Sequence, residues 1–301
     1  MIQYLYLGRV DYDEGLRLQA EVAALVVAGR LKNVLLLLEH PPVLTLGRNA
    51  KRANVLASDE FLAARDVVLH AINRGGDVTY HGPGQLVGYP IFDLRSMKGP
   101  RGGRMGPVDF VRGMEEALIR LCAGFGVQAG RIAGMTGVWV GQEAGNREQG
   151  TGNGKQGLGT EGPSTEGPGT KGLGTDAGPE RKIGAIGIHV ARGVTSHGFA
   201  FNVTTDLRDF ELIVPCGIRD HAVTSLEREV GAGVELPGLE ALADAAARQF
   251  GMVFDEHVLA VESVDALREM AARQFPAEDT PVRVPAEVER LLGGVERPVQ
   301  G

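Results

Sequence analysis

The feature that most constrains this chain is a glycine-rich polar segment held between two apolar runs. Residues 66–73, Asp66-Val-Val-Leu-His-Ala-Ile-Asn73, have the composition of a strand, and residues 85–94 leave as another. Between and into them runs Arg74-Gly-Gly-Asp-Val-Thr-Tyr-His81-Gly-Pro-Gly-Gln85-Leu-Val-Gly-Tyr-Pro90, with five glycines and two prolines. A turn needs only one or two glycines, where φ must be positive. The surplus glycines allow a backbone to approach a ligand closely, and exposed N–H groups can hold an oxyanion or a polar chain. A strand, a loop of this kind and a second strand place a binding loop at the edge or end of a sheet. The competing reading is a hairpin loop whose polar residues are incidental.

Bulk properties remove several classes. At 301 residues with 43% hydrophobic and 23% charged content, the chain suits one large α/β domain or two small ones. A net charge of −7 opposes general nucleic-acid binding, which depends on basic surface. No run of about 18 apolar residues suits a membrane span, and Met1-Ile-Gln-Tyr-Leu-Tyr-Leu-Gly8 has no basic start or small-residue cleavage site. Two cysteines in unlike settings, Cys122 and Cys216, exclude a disulfide framework and point to a cytoplasmic protein without membrane association.

In chain order, residues 2–7 form a first strand, and residues 11–29 a helix with Leu16, Ala20, Ala23, Ala24 and Val27 at helical spacing. Residues 33–40 and 43–47 are strands, the first continuously apolar as in a buried sheet, and Arg48, Lys51 and Arg52 follow as a basic cluster. A short helix ends at Arg65. Pro107–Cys122 reads as a helix with Val108, Val111, Met114 or Glu115, Leu118 and Cys122 on one face. A strand at 137–140 and paired strands at 182–190 and 196–203 follow, then helices at 239–249, 263–273 and 285–293 that look peripheral. Between strands, residues 141–181 are about one-third glycine with near-repeats such as Gly157-Leu-Gly-Thr160 and Gly172-Leu-Gly-Thr175, the composition of a flexible insertion. Its Gly152-Asn-Gly154-Lys-Gln-Gly157 matches a dinucleotide fingerprint in letters only, since no strand precedes it and no helix follows.

The cysteines differ in chemistry. Cys122 sits on a helix face and reads as a small hydrophobe. Cys216 lies between Pro215 and Gly217 in a loop, a setting for a nucleophile or for a buried structural thiol. A nucleophilic cysteine must be a thiolate, which a nearby cation favours. Lys182 is the candidate cation: it opens the apolar strand Ile183-Gly-Ala-Ile-Gly-Ile188, unless it merely marks that strand's solvated end. Gly184 and Gly187 leave room beside that strand. His81, His189, His197 and His221 are possible bases. Metal-ligand spacing, a phosphate-binding P-loop and a Gly-x-Ser-x-Gly elbow are all missing from the sequence, so no metal and no cofactor are expected.

Taken together, Arg74–Pro90, Lys182-Ile-Gly-Ala-Ile-Gly187, His197-Gly-Phe-Ala-Phe-Asn-Val203 and Pro215-Cys216-Gly217 closely resemble, in content, order and spacing, the lipoyl(octanoyl) transferase family. The resemblance covers about residues 30–230 apart from the insertion. It implies an α/β (α+β type) fold, a mixed sheet flanked by helices like the catalytic core of biotin and lipoate protein ligases. It also implies transfer of an octanoyl or lipoyl group from octanoyl-acyl carrier protein, through a cysteine thioester, to a lysine of lipoyl domains of 2-oxoacid dehydrogenases and of the glycine cleavage H protein. Carried over, Cys216 is the acyl-accepting nucleophile and Lys182 sets its reactivity. Arg74, Gly75, Gly76, Asp77, Val78, Thr79, Tyr80 and His81, with Ala185, Ile186, Gly187, Gly198, Phe199 and Ala200, line the acyl site. The family often has Leu where this chain has Phe199. Residues 1–230, including the insertion at 141–181, would be the catalytic domain, and 231–301 a helical extension packed on it or trailing it. An ATP-dependent lipoate or biotin ligase on the same fold, and a non-catalytic acyl-binding module, are the competing readings.

Overall fold

The computed structural model describes residues 1–100, 102–141, 180–214 and 222–273. The insertion beyond Gly141, including the fingerprint at 152–157, the Pro215–Gly217 block with Cys216, His221, and the helix expected at 285–293 lie outside the described residues.

From the N-terminus come β1 (Ile2–Arg9), α1 (Tyr12–Val27), β2 (Asn33–Glu39) and β3 (Val43–Leu46). A 3-10 turn at Arg52–Asn54 precedes α2 (Asp59–Ala64), β4 (Val68–Ala71), β5 (Val78–His81) and β6 (Gln85–Ile91). Then follow α3 (Pro107–Ala123), β7 (Ala129–Ile132), β8 (Met135–Val140), β9 (Arg181–Ala191) and β10 (Val194–Asn202). A 3-10 segment at Leu207–Leu212, β11 (Ala222–Val223), α4 (Leu226–Val230), α5 (Leu239–Phe254), β12 (Val258–Ala260) and α6 (Val264–Arg273) complete the order.

The large sheet runs β12-β1-β2-β6-β10-β9-β8-β7, with β11 beside β9, and a small sheet runs β4-β3-β5. Strand β1 is parallel to β2 and β12, while the pairs from β2–β6 through β7–β8 are antiparallel. This is the expected mixed sheet. Buried on both faces, β2 divides its side chains between two layers, which is why its sequence is apolar without alternation. Leu35 and Leu37 join α3 and α5, whereas Val34, Leu36 and Leu38 join α1 and α6. Between β9 and β10, Arg192 and Gly193 both have positive φ (52° and 81°), the two-residue turn that matches strand twist.

Several details differ from the sequence expectations. The glycine-rich segment contains a strand of its own, β5, paired antiparallel with β3. Helix α1 buries Tyr12, Gly15, Leu18, Gln19, Val22 and Val26 rather than the predicted face, because Leu18, Val22 and Val26 pack on β2 and β6 and the Gln19 oxygen accepts from the His197 N–H. On α3, Val108 is exposed and Phe110 takes its place, while Met114 and Glu115 are both buried. Helix α5 is not peripheral: Leu242, Ala243, Ala246, Ala247 and Phe250 are at most 1% exposed within the α3 layer.

Candidate active site

A cavity of about 340 Å³ opens between the two sheets, within the roughly 300–1,000 Å³ typical of small-molecule sites. Its floor is the large sheet. Ala185, Ala200 and Val87 stand in one cross-strand row on β9, β10 and β6, and Gly187 and Gly198 form part of the next. Small residues in adjacent rows of central strands leave an apolar trough where larger side chains would fill the space.

The small sheet supplies the roof. Alternation along β5 turns Thr79 and His81 into the cavity and sends Val78 and Tyr80 into a separate core with Leu44 and Phe210. Arg74, Gly76 and Asp77 complete the roof from the preceding loop. The buried Arg74 guanidinium donates to the Thr45 carbonyl (2.8 Å), to Thr45 Oγ1 (2.9 Å) and to the Gly75 carbonyl (3.0 Å). Gly75 itself stitches roof to floor, its N–H donating to the Ile188 carbonyl at 3.0 Å. A Cβ on Gly187 would lie 2.6 Å from the Gly75 oxygen, so only glycine permits this approach. Asp77 accepts from Asn54 Nδ2 (2.6 Å) and from the Val78 N–H (2.7 Å).

Lys182 closes one end, and its presence there depends on an irregularity. Strand β9 pairs Gly184 with Val138 but Lys182 with Trp139, so two steps on β9 match one on β8. Side chains alternate along a strand, and Lys182 and Ala185 differ by an odd number of residues. Only such a bulge brings both to one face. Ile183 is correspondingly buried in the α3 layer. Lys182 is 7% exposed, not at a solvated strand end. Its ammonium lies 4.5 Å from the centre of the Trp139 ring and donates to the Thr136 carbonyl at 3.3 Å. A smaller void beside it is bounded by Gln85, Asn202 and Val223.

Another part of the lining is aromatic. Tyr12, Tyr89 and His197 border the cavity there. His40 Nδ1 lies 2.6 Å from the Val10 carbonyl and must carry the proton, leaving Nε2 to accept from the Tyr89 hydroxyl at 2.6 Å. His197 has a positive φ of 56°, a strained position for a non-glycine residue. Continuing the register of Phe199 with Gly88 sets His197 opposite Pro90, which has no N–H to offer. The β6–β10 pairing stops at Phe199, the Pro90 carbonyl accepts from Thr195 Oγ1 at 2.6 Å, and the His197 N–H donates to Gln19 Oε1 at 2.7 Å, with Nε2 2.7 Å from Asn73 Oδ1. Burial pushes the imidazoles down, to about 4 for His40 and His197 and about 3 for His81, and the Arg74 charge adds to the effect at His81 and His197. All three rings are neutral at physiological pH.

Of the residues expected to line an acyl site, the cavity gathers Arg74, Gly76, Asp77, Thr79, His81, Ala185, Ile186, Gly187, Gly198, Phe199 and Ala200. Gly75, Val78 and Tyr80 lie outside its lining, Gly75 as a stitch and the other two by strand alternation. Tyr80 instead donates to Asp209 at 2.6 Å. Phe199 borders the cavity, but its ring stacks on Phe250 in the helical layer at 5.6 Å. Gly184 faces Val138, Leu118 and Phe201 and floors nothing. Tyr12, Tyr89, Met135 and Thr136 were not anticipated. Of these only Tyr89 lay in the glycine-rich block, where its period-two spacing from Val87 was the available signal. Cys122 is fully buried, and desolvation pushes its thiol up to about 12, in keeping with a packing role. Among the described residues no group of three His, Cys, Asp or Glu is placed to hold a metal, and no helix is long and apolar enough to cross a membrane.

The family described as lipoyl protein ligase A/B catalytic domain matches residues 11–251. Similar proteins include the octanoyltransferase of Acidobacterium capsulatum, 55% identical over 90% of this chain and 98% of its own length. The octanoyltransferase of Koribacter versatilis is 44% identical over 97% of each chain. Among solved structures, lipoate-protein ligase A bound with ATP superposes with a TM-score of 0.58 at 16% identity, covering 91% of this chain and 94% of the other. A putative lipoate protein ligase from T. acidophilum with bound lipoic acid gives 0.56 at 14% identity, with the same coverage of each. At such identities the structures speak for the fold.

Proposed function

Because this chain belongs to the lipoyl protein ligase A/B catalytic domain family, and its full-length relatives are octanoyltransferases, we infer that it is an acyltransferase moving an octanoyl group in protein lipoylation. The observation that carries the reading is the burial of Lys182 at one end of an apolar trough, beside the described chain on both sides of Cys216. On one side the Val214 N–H donates to the Asn54 carbonyl (2.7 Å), and Asn54 holds Asp77. On the other, Ala222 and Val223 pair with Arg181 and Lys182.

In this mechanism the Lys182 ammonium favours the Cys216 thiolate. Each unit by which it lowers the thiol requires about 1.4 kcal/mol of differential stabilisation. The thiolate attacks the donor thioester carbonyl, forming a new carbon–sulfur bond. The donor's own carbon–sulfur bond breaks, and its sulfur leaves as a thiol with a proton from the Lys182 ammonium, which becomes the neutral amine. The backbone N–H of Gly76 or of Gly217 would receive the oxyanion, that of Gly75 being held by the Ile188 carbonyl. The amine of an acceptor lysine then displaces Cys216, giving the amide. Since one thioester replaces another and an amide replaces that, ATP is not required. Lys182 is the better candidate to take the acceptor's proton, because an imidazole held at about 3, as His81 is, retains little affinity for one at neutral pH.

The donor in this reading is octanoyl-acyl carrier protein, and the acceptors are lipoyl domains, including those of 2-oxoacid dehydrogenases, and the glycine cleavage H protein. Arg48, Lys51 and Arg52 are exposed, and the Arg48 N–H donates to the Arg74 carbonyl at 3.0 Å, so a basic cluster adjoins the roof where an acidic carrier would dock. Residues 1–230 would perform the chemistry, and the described part of 231–301 would buttress the sheet from α5 and β12. Incubation with octanoyl carrier protein without ATP should leave an octanoyl adduct on Cys216, read by peptide mass mapping. An adduct that survives Cys216→Ser, or maps to Cys122, sinks the assignment.

A further inference from the structure

We propose that Glu115, which does not touch the cavity, is the positioning residue for Lys182. It projects from the buried face of α3 and is fully inaccessible to solvent. Carboxylates are rarely so buried unless paired, and Glu115 is spread over three donors. Oε2 accepts from Arg112 Nη1 (2.6 Å) and Arg131 Nε (3.1 Å), while Oε1 accepts from the backbone N–H of Gly137 (3.0 Å).

That third bond links Glu115 to the site. Gly137 has φ of 127°, and a Cβ there would lie 2.6 Å from the Gly184 oxygen and 3.3 Å from Lys182 Cε. The backbone at 137 therefore forms the wall along which the lysine stem runs. The residue before it, Thr136, presents the carbonyl that receives the Lys182 ammonium. Two residues on, Trp139 presents the ring face beneath that ammonium. Glu115 Oε1 thus accepts from the N–H of the same peptide whose carbonyl receives Nζ, and the arginine pairs fix the carboxylate. Positioning of this kind uses both carboxylate oxygens, one for Gly137 and one for the arginines.

The role matters for catalysis through the reading of Lys182 given above, but the placement of Nζ is measurable without it. Two variants break the Gly137 bond by different means: Glu115→Asp withdraws the carboxylate by one methylene, and Glu115→Gln has a single acceptor oxygen, which cannot serve both Gly137 and the arginines. Limited acetylation with acetic anhydride, followed by mass mapping, compares Lys182 with Lys32 and Lys98 as internal references. Loss of one buried hydrogen bond should raise the relative rate at Lys182 about fivefold in each variant. An unchanged rate in Glu115→Asp overturns the proposal, as does a pattern that follows only the melting temperatures of the two variants. The pH profile of Cys216 alkylation should move to higher pH in Lys182→Ala, which removes the cation, and in the same direction in Glu115→Asp. If Lys182→Ala leaves that profile unmoved, the thiolate-setting role of Lys182 falls, while the acetylation result still decides what Glu115 does.

Discussion

The two faces of the large sheet are built from the same strands with opposite results. Toward α3 and α5, Leu86, Phe199 and Phe201 fill the space between layers, and Phe199 stacks on Phe250. One residue along, Val87, Gly198 and Ala200 face the other way and leave a trough. The first face obeys close packing, in which every missing methylene is felt. The second gives up that packing locally and is stabilised elsewhere, by the roof's hydrogen bonds and by α1 and α6 further along the sheet. The cavity here is a strand's second face left unfilled, next to a core that carries the stability.

The largest expected effect lies on the filled face. Phe199→Ala should cost about 3–5 kcal/mol in urea unfolding while KM for the acyl donor stays near wild type, because the ring points away from the trough. A raised KM with stability intact would erase the distinction between the faces.

Next comes acid sensitivity, which belongs to the cavity face because the neutral buried imidazoles His40, His81 and His197 lie there. An unfolded histidine titrates near 6.5, and His40 in the fold near 4. Between those values the unfolded chain takes up a proton that the folded protein refuses. Stability is therefore full above about pH 6.5 and falls as pH drops toward 4, by on the order of 3 kcal/mol for His40 alone. Melting temperatures recorded from pH 7 to pH 4 should show this slope, and His40→Asn should flatten it. An equally steep decline in that variant assigns the acid response to other groups.

The smallest effect in free energy is the sharpest test of the roof. Gly187→Val sets side-chain atoms against the Gly75 carbonyl, so the 74–76 loop must lift. A misplacement of about 1 Å can cost roughly 100-fold in kcat/KM. Retention of activity within a few-fold would mean that the loop closes on the floor by another route.

Much of this is legible in the sequence. The apolar run of β2, the paired strands at 182–190 and 196–203 and the glycine-rich block all follow from local pattern, since burial and turn geometry write themselves into a few adjacent residues. Residues 74–81 were recognisable as a block, but which of them face the cavity depended on a strand within it, which the glycines disguised. Tyr12 and Gln19 were missed because α1 looked amphipathic on another face. Their burial follows from His40 and His197, which come from distant parts of the chain. Glu115 was visible only as an ambiguity with Met114, since nothing local announces that a helix carboxylate will meet Gly137.

The bulge between β8 and β9 makes the location of Lys182 a matter of parity. Its three-residue spacing from Ala185 is odd, so a straightened β9 of the same sequence would turn the ammonium toward the hydrocarbon between α3 and the sheet and leave the trough without its cation. Deleting either Ile183 or Gly184 would restore plain alternation and return the lysine to the face of Ala185, one step closer to it. In a relative, spacing and bulge therefore have to be read together: an odd spacing with the bulge and an even spacing without it put the lysine on the same side.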